Sequence, residues 1–140
     1  MSNIHASCVD YDGKGILLLG ASGSGKSGLC LELILNYNAA LVADDRVELE
    51  AKAGGVYASA PENIKGLLEV RNVGILRLPV TEKTRVQAVV RLEPVTQALE
   101  RLPEPETCLL ENVKLPLLRF YENDAAVAAK IIAFLSFPRL

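Results

Sequence analysis

Eight consecutive residues, Gly20-Ala21-Ser22-Gly23-Ser24-Gly25-Lys26-Ser27, follow the pattern G-x-x-x-x-G-K-[ST]. Glycines at these places let the backbone curl until several N–H groups converge on one point, which suits phosphate oxygens. A helix starting at the end of the curl adds the positive end of its dipole. Lys26 would then reach the outer phosphates of a nucleoside triphosphate, and the Ser27 hydroxyl would ligate Mg²⁺. A second pair of chemical residues, Asp44-Asp45, ends the short apolar run Ala39 to Ala43. A carboxylate delivered there by a strand faces Mg²⁺ or orients the attacking nucleophile in phosphoryl transfer. Glu69, Arg71 and His5 are weaker signals. Read alone, Glu69 and Arg71 are a salt-bridged helix end, and His5 is a strand histidine that satisfies its own hydrogen bonds.

These residues need a strand before the loop and a helix after it. Ile16 to Leu19 is the buried strand. Leu29, Cys30, Leu33, Ile34 and Tyr37 recur at helical spacing, so a helix runs from Ser27 to Tyr37 and ends at Asn36 to Asn38. Upstream, Ile4 to Val9 reads as a strand and Asp10 to Gly15 as a turn. Together with Gly15 to Leu19 they form a hairpin, which sets His5 on the strand beside the one feeding the loop. Asp10-Tyr11-Asp12-Gly13 opens like a calcium loop, but the later ligands and closing Glu are missing.

Downstream, Arg46 to Glu50 and Val56 to Ala60 form a second hairpin around Ala53-Gly54-Gly55. Pro61 and Glu62 open a short helix through Leu68. Val86 to Leu92 is a strand, Pro94 to Arg101 a helical turn, and Pro103 to Glu106 an acidic loop. Leu115 to Phe120 is a strand broken by Pro116. Asn123 or Asp124 caps a final helix, Ala125 to Leu135. The fold class expected is α/β, with a mixed sheet built partly from hairpins and few helices.

Composition narrows the function. The chain has 140 residues, half of them hydrophobic, which suits a single domain over residues 1–140. A net charge of −2 argues against sequence-independent nucleic-acid binding, so phosphate affinity must come from the loop itself. Three widely spaced cysteines, Cys8, Cys30 and Cys108, form no C-x-x-C pair and read as buried free thiols in a reducing cytoplasm. No apolar run reaches membrane-spanning length, and Met1 to Ala6 carries no secretory pattern.

The series His5, the glycine loop, Val42-Ala43-Asp44-Asp45-Arg46-Val47 and Leu67-Leu68-Glu69-Val70-Arg71-Asn72-Val73-Gly74-Ile75 resembles the bacterial HPr kinase/phosphorylase family. That family's characteristic segment reads close to L-L-E-I-R-G-L-G-I. The resemblance covers residues 3 to 76 well and the rest loosely. It is to the catalytic domain alone, as in short proteobacterial forms without the family's N-terminal domain. It implies a phosphate-loop kinase fold of the HPr kinase and phosphoenolpyruvate carboxykinase type. It also implies ATP- and Mg²⁺-dependent phosphorylation of a serine on HPr, the phosphocarrier of the sugar phosphotransferase system. The family also runs phosphorolysis of phosphoserine and assembles as hexamers.

Carried over, the resemblance makes His5, Lys26, Asp45 and Arg101 catalytic. Asp45 is the proton acceptor, and Ser27 and Glu69 are the Mg²⁺ ligands, with Asp44 beside them on the metal side. One departure stands out. The family's basic V-R-P-G-R-N loop corresponds here to Leu118-Arg119-Phe120-Tyr121-Glu122-Asn123-Asp124. One arginine remains and two acids appear, so kinase activity is expected over phosphorylase activity. Two other functions fit the loop: a small-molecule or carboxykinase-like phosphotransferase, and a regulator that binds ATP without transferring phosphate.

Overall fold

A computed structural model describes residues 1–140. Its frame is a nine-stranded mixed sheet with a separate two-stranded hairpin. The strands in chain order are β1 (Ser2–His5), β2 (Ser7–Tyr11), β3 (Lys14–Leu19), β4 (Ala40–Ala43), β5 (Arg46–Lys52), β6 (Gly55–Ser59), β7 (Leu67–Val70), β8 (Gly74–Arg77), β9 (Thr84–Glu93), β10 (Glu106–Leu110) and β11 (Val113–Tyr121). Two helices, α1 (Lys26–Tyr37) and α2 (Val127–Ser136), complete it. The expected mixed sheet with hairpins and few helices is what the chain forms.

β9 is the organising strand. It runs parallel to β3 on one side and parallel to β11 on the other, while its first residues pair antiparallel with β6. β3 therefore lies inside the sheet, and its apolar run is buried on both faces. Ile16 and Leu18 enter a core with Leu29, Cys30 and Leu33 of α1 and Ile131 of α2. Leu17 points the other way, into a core of Val47, Leu49, Val56, Val89 and Leu117. That second core contains no helix, so strands from distant parts of the sheet cover one another. No helix of the chain is long and apolar enough to cross a membrane.

Four elements differ from the sequence expectation. Ile4 to Val9 is two strands, not one. The chain breaks at buried Ala6; β1 pairs with β5, and only β2 pairs with β3. His5 thus stands opposite Arg46, not beside the strand that feeds the loop. The helix expected through Leu68 is one 3₁₀ turn, Glu62–Ile64. Gly66, at φ +80°, ends it, and Leu67–Val70 pairs with Gly74–Arg77. Glu69 is accordingly a strand residue and not a helix end. Residues 94–105 hold no helix beyond one turn closed by Gln97 N–H on the Pro94 carbonyl.

The fourth difference is β11, which runs unbroken through Pro116 and gains a partner, β10, that periodicity did not reveal. Parallel pairing with β9 begins at Leu117, so the proline's missing N–H falls outside that ladder. Other expectations hold. Asn38, in the left-handed conformation, closes α1, and the Asp124 carboxylate accepts the Ala126 N–H at the start of α2. Cys8 and Cys30 are buried free thiols, and burial pushes both thiol pKa values up. Cys108 is half-buried and also free.

Candidate active site

The loop after β3 folds as its glycines dictate. Gly20 is packed so tightly that a Cβ would come 2.6 Å from the Ser24 Oγ. Gly25, at φ +102°, turns the chain into α1, a conformation costly for any residue with a Cβ. The helix then starts at Lys26 itself. Its ammonium donates to the Gly20 carbonyl at 2.8 Å and the Ala21 carbonyl at 3.0 Å. A lysine has three donors, so one remains for a phosphate oxygen. Burial lowers the Lys26 pKa, and Asp44, then Asp45, pull it back up.

β4 delivers the two carboxylates, and a turn sends them in different directions. Asp45 sits at φ +70°, tolerated by aspartate more than by most residues. Its carbonyl accepts the Ala6 N–H at 3.2 Å, and the Asp44 carbonyl accepts the Arg46 N–H at 2.8 Å. Asp44 is buried, 7% exposed. Its Oδ1 accepts the Ser7 hydroxyl at 2.7 Å and the Ser27 hydroxyl at 2.8 Å. Asp45 turns outward, and its Oδ1 lies 3.4 Å from the His5 Nε2.

Together these groups line one cavity of about 480 Å³. Ser22, Gly23, Gly25, Lys26 and Ser27 form one wall, with Ser7, Asp44, Asp45 and His5 opposite. The β7–β8 hairpin closes it with Glu69, Val70 and Arg71. No group of three or more His, Cys, Asp or Glu side chains is placed to cage a metal. The donors present are the Ser27 hydroxyl and the carboxylates of Asp44, Asp45 and Glu69. That set suits Mg²⁺ carried in with a triphosphate, since Mg²⁺ keeps waters and takes only one or two protein carboxylates.

Of the residues singled out from sequence, His5, Lys26, Ser27, Asp44, Asp45 and Glu69 meet in this cavity. Gly20 and Ala21 contribute carbonyls to Lys26, and Ser24 does not line the cavity. Arg101 does not join them. It lies exposed on the 94–105 segment, which is held at Leu99 by a bond from its N–H to the Tyr121 hydroxyl. The cavity's arginine is Arg71 instead. Ser7 was missed altogether. Its signal was a lone hydroxyl in a buried strand, which apolar periodicity reads as neutral.

A buried parallel strand, a glycine loop with its lysine, a helix, and a strand ending in Asp define a phosphate-loop nucleotide-binding domain. The family model for the HPr Serine kinase C-terminal domain matches residues 1–133, and the chain belongs to that family. It is 37% identical over 128 residues to the HPr kinase/phosphorylase of Brevibacillus brevis, covering 84% of this chain and 41% of that protein. To the enzyme of Bordetella pertussis it is 40% identical over 112 residues, covering 73% and 36%. The chain thus spans about two fifths of the length of these relatives. The HPr(Ser) kinase/phosphatase structure from Coxiella burnetii shares the fold, with a TM-score of 0.85 at 22% identity over 96% of this chain and 94% of that one.

Proposed function

We propose that this domain is an ATP- and Mg²⁺-dependent protein serine kinase whose acceptor is an HPr-like phosphocarrier, working in the cytoplasm as a homo-oligomer, a hexamer by family resemblance. The observation that carries the reading is the convergence of Lys26, Ser27, Asp44, Asp45 and His5 on one cavity. In the reaction the substrate serine oxygen bonds to the γ-phosphorus, and the bond to the β-phosphate oxygen breaks. Lys26 and Arg71 offset charge on the transferring group. Ser27, Asp44 and Glu69 are the residues that would hold Mg²⁺, which supplies charge neutralisation across the phosphates. Asp45 takes the serine proton, because its lone pairs are not engaged by hydroxyl donors and His5 beside it steadies the carboxyl group.

One contact separates the two aspartates and sets Asp44 on the metal side. Asp44, not Asp45, is bonded to Ser27 at the cavity floor. Transfer from radiolabelled ATP to HPr, assayed with Asp44→Asn and Asp45→Asn, tests this assignment. The base variant loses about 10²–10⁴-fold in transfer with ATP affinity kept, whereas the metal-side variant shows a shifted Mg²⁺ requirement. Label appearing on a metabolite, or ATP binding with no transfer at all, would overturn the protein-kinase reading.

Phosphorolysis is expected to be weak. Arg119, the arginine left where the family loop is basic, is spent on acids. Its guanidinium holds both Glu106 oxygens, at 2.9 and 2.8 Å, and also Glu93. Robust pyrophosphate release from phosphoserine-HPr and inorganic phosphate would sink this part of the proposal.

A further inference from the structure

A second, smaller cavity, of about 140 Å³, lies on the opposite side of the phosphate loop. It is bounded by Ser24 and Gly25 of the loop, Leu29 and Glu32 of α1, and Glu122 and Ala125 in the turn from β11 into α2. Gly25 also lines the reaction cavity, so the loop is the wall between the two. Three parallel strands end here: β3 at Leu19, β9 at Glu93 and β11 at Tyr121. In open α/β sheets, ligands bind in the crevice beyond the carboxyl ends of such strands.

The lining decides what kind of group fits. No lysine, arginine or histidine is present, so a phosphate is repelled. Leu29, Leu92 and Val127, each at most 7% exposed, give an apolar floor for a ring. Three carboxylates stand over it, but they are not equivalent. Asp124 is already occupied by the Ala126 N–H and the Lys130 ammonium. Glu32 and Glu122 make no hydrogen bond or ion pair with any side chain, and ionised they are pure acceptors. The Ser24 Oγ, on the loop wall, is buried with no partner.

We propose that this cavity is the nucleoside subsite of the triphosphate. It takes the neutral, donor-bearing end of the ligand, while the phosphates cross the loop to Lys26. Glu122, and Glu32 across from it, accept hydrogen bonds from the base amine or the ribose hydroxyls. The inference rests on the nucleotide-binding reading above. It adds to that reading the direction in which the ligand lies and the groups that recognise its uncharged end. Cations on one side of the loop and none lining the other leave a single orientation for a molecule that is anionic at one end only.

Calorimetry with Mg²⁺ and either ATP or inorganic tripolyphosphate tests it on the full chain. Wild-type protein is expected to bind ATP at least tenfold more tightly than tripolyphosphate. Glu122→Ala and Ala125→Trp, the latter filling the cavity, should each weaken ATP at least fivefold and leave tripolyphosphate within twofold. Equal wild-type affinities, or variants that weaken both ligands alike, overturn the subsite. Binding of neither ligand by wild type overturns the phosphate-loop reading as well, and so separates the two failures. ITP and 2′-deoxy-ATP locate the donor. A loss with ITP assigns it to the base amine and a loss with the deoxy analogue to the ribose. No loss with either overturns recognition by the carboxylates.

Discussion

The two sides of the phosphate loop hold similar numbers of carboxylates and use them differently. Toward β1 and β4, the carboxylates have partners. Asp44 accepts from Ser7 and Ser27, and Asp45 faces His5, with the Lys26 ammonium close by. Toward β11 and α2, Glu32 and Glu122 have none, and the cations on those elements are engaged, Lys130 with Asp124 and Arg119 with Glu93 and Glu106. What distinguishes a phosphate site from a site for a neutral group is thus not the count of acids. It is whether a cation with a free donor shares the space. A buried carboxylate that two hydroxyls orient can also be held in place for chemistry, whereas an exposed, unpartnered one can only accept what arrives.

The strongest way to break this contrast is to remove the cation. Lys26→Ala should lower phosphoryl transfer by about 10²–10³-fold. Because Lys26 also ties the Gly20 and Ala21 carbonyls, thermal unfolding of the variant should be followed in parallel. Transfer kept near the wild-type rate would show that the loop's amide groups suffice. Next is the orienting hydroxyl. Ser7→Ala leaves Asp44 with Ser27 as its sole hydroxyl partner. It should lower transfer about tenfold, equivalent to about 1.4 kcal/mol, and destabilise the fold by about 1.5–3 kcal/mol. A normal rate with lowered stability would make Ser7 structural only.

The smallest effect belongs to the far side. The Arg119 hydrogen bond lowers the Glu106 pKa below its ordinary value. A carboxylate depressed in the folded state contributes stability that is complete above its unfolded pKa, about 4.3. That contribution is lost as pH falls through the lower folded value. Glu106→Gln should therefore flatten the fall in melting temperature below about pH 4.3 and leave the pH 7 rate unchanged. A rise in phosphorolysis in that variant would instead mean that Glu106 holds Arg119 back from phosphate.

Local order around the loop was legible because each part follows from neighbours in sequence. Apolar Ile16 to Leu19, the glycine spacing and the helical recurrence from Leu29 to Tyr37 are all short-range signals. The hairpin of β7 and β8 was not legible. Leu67-Leu68 reads as well in a helix as in a strand, and the deciding term is Gly66 at positive φ together with pairing to residues eight to ten positions away. β10 escaped for a related reason. Glu106–Leu110 has a pattern too weak to stand alone and is a strand because β11 is beside it. Arg101 was carried by a resemblance across a segment with no regular structure, where spacing holds no register.

By itself the sequence determined the phosphate loop, the strand and helix that hold it, and the acidic pair one strand away. Those depend on backbone geometry and periodicity within some thirty residues. Only the tertiary structure decided what each acid faces. The break at Ala6 moves β1 onto β5, which brings His5 to Asp45, while β2 continues beside β3 and carries Ser7 to Asp44. A strand's neighbours follow from long-range pairing and burial, which no local pattern encodes. One residue at a strand break thus separates the histidine that meets one aspartate from the serine that meets the other.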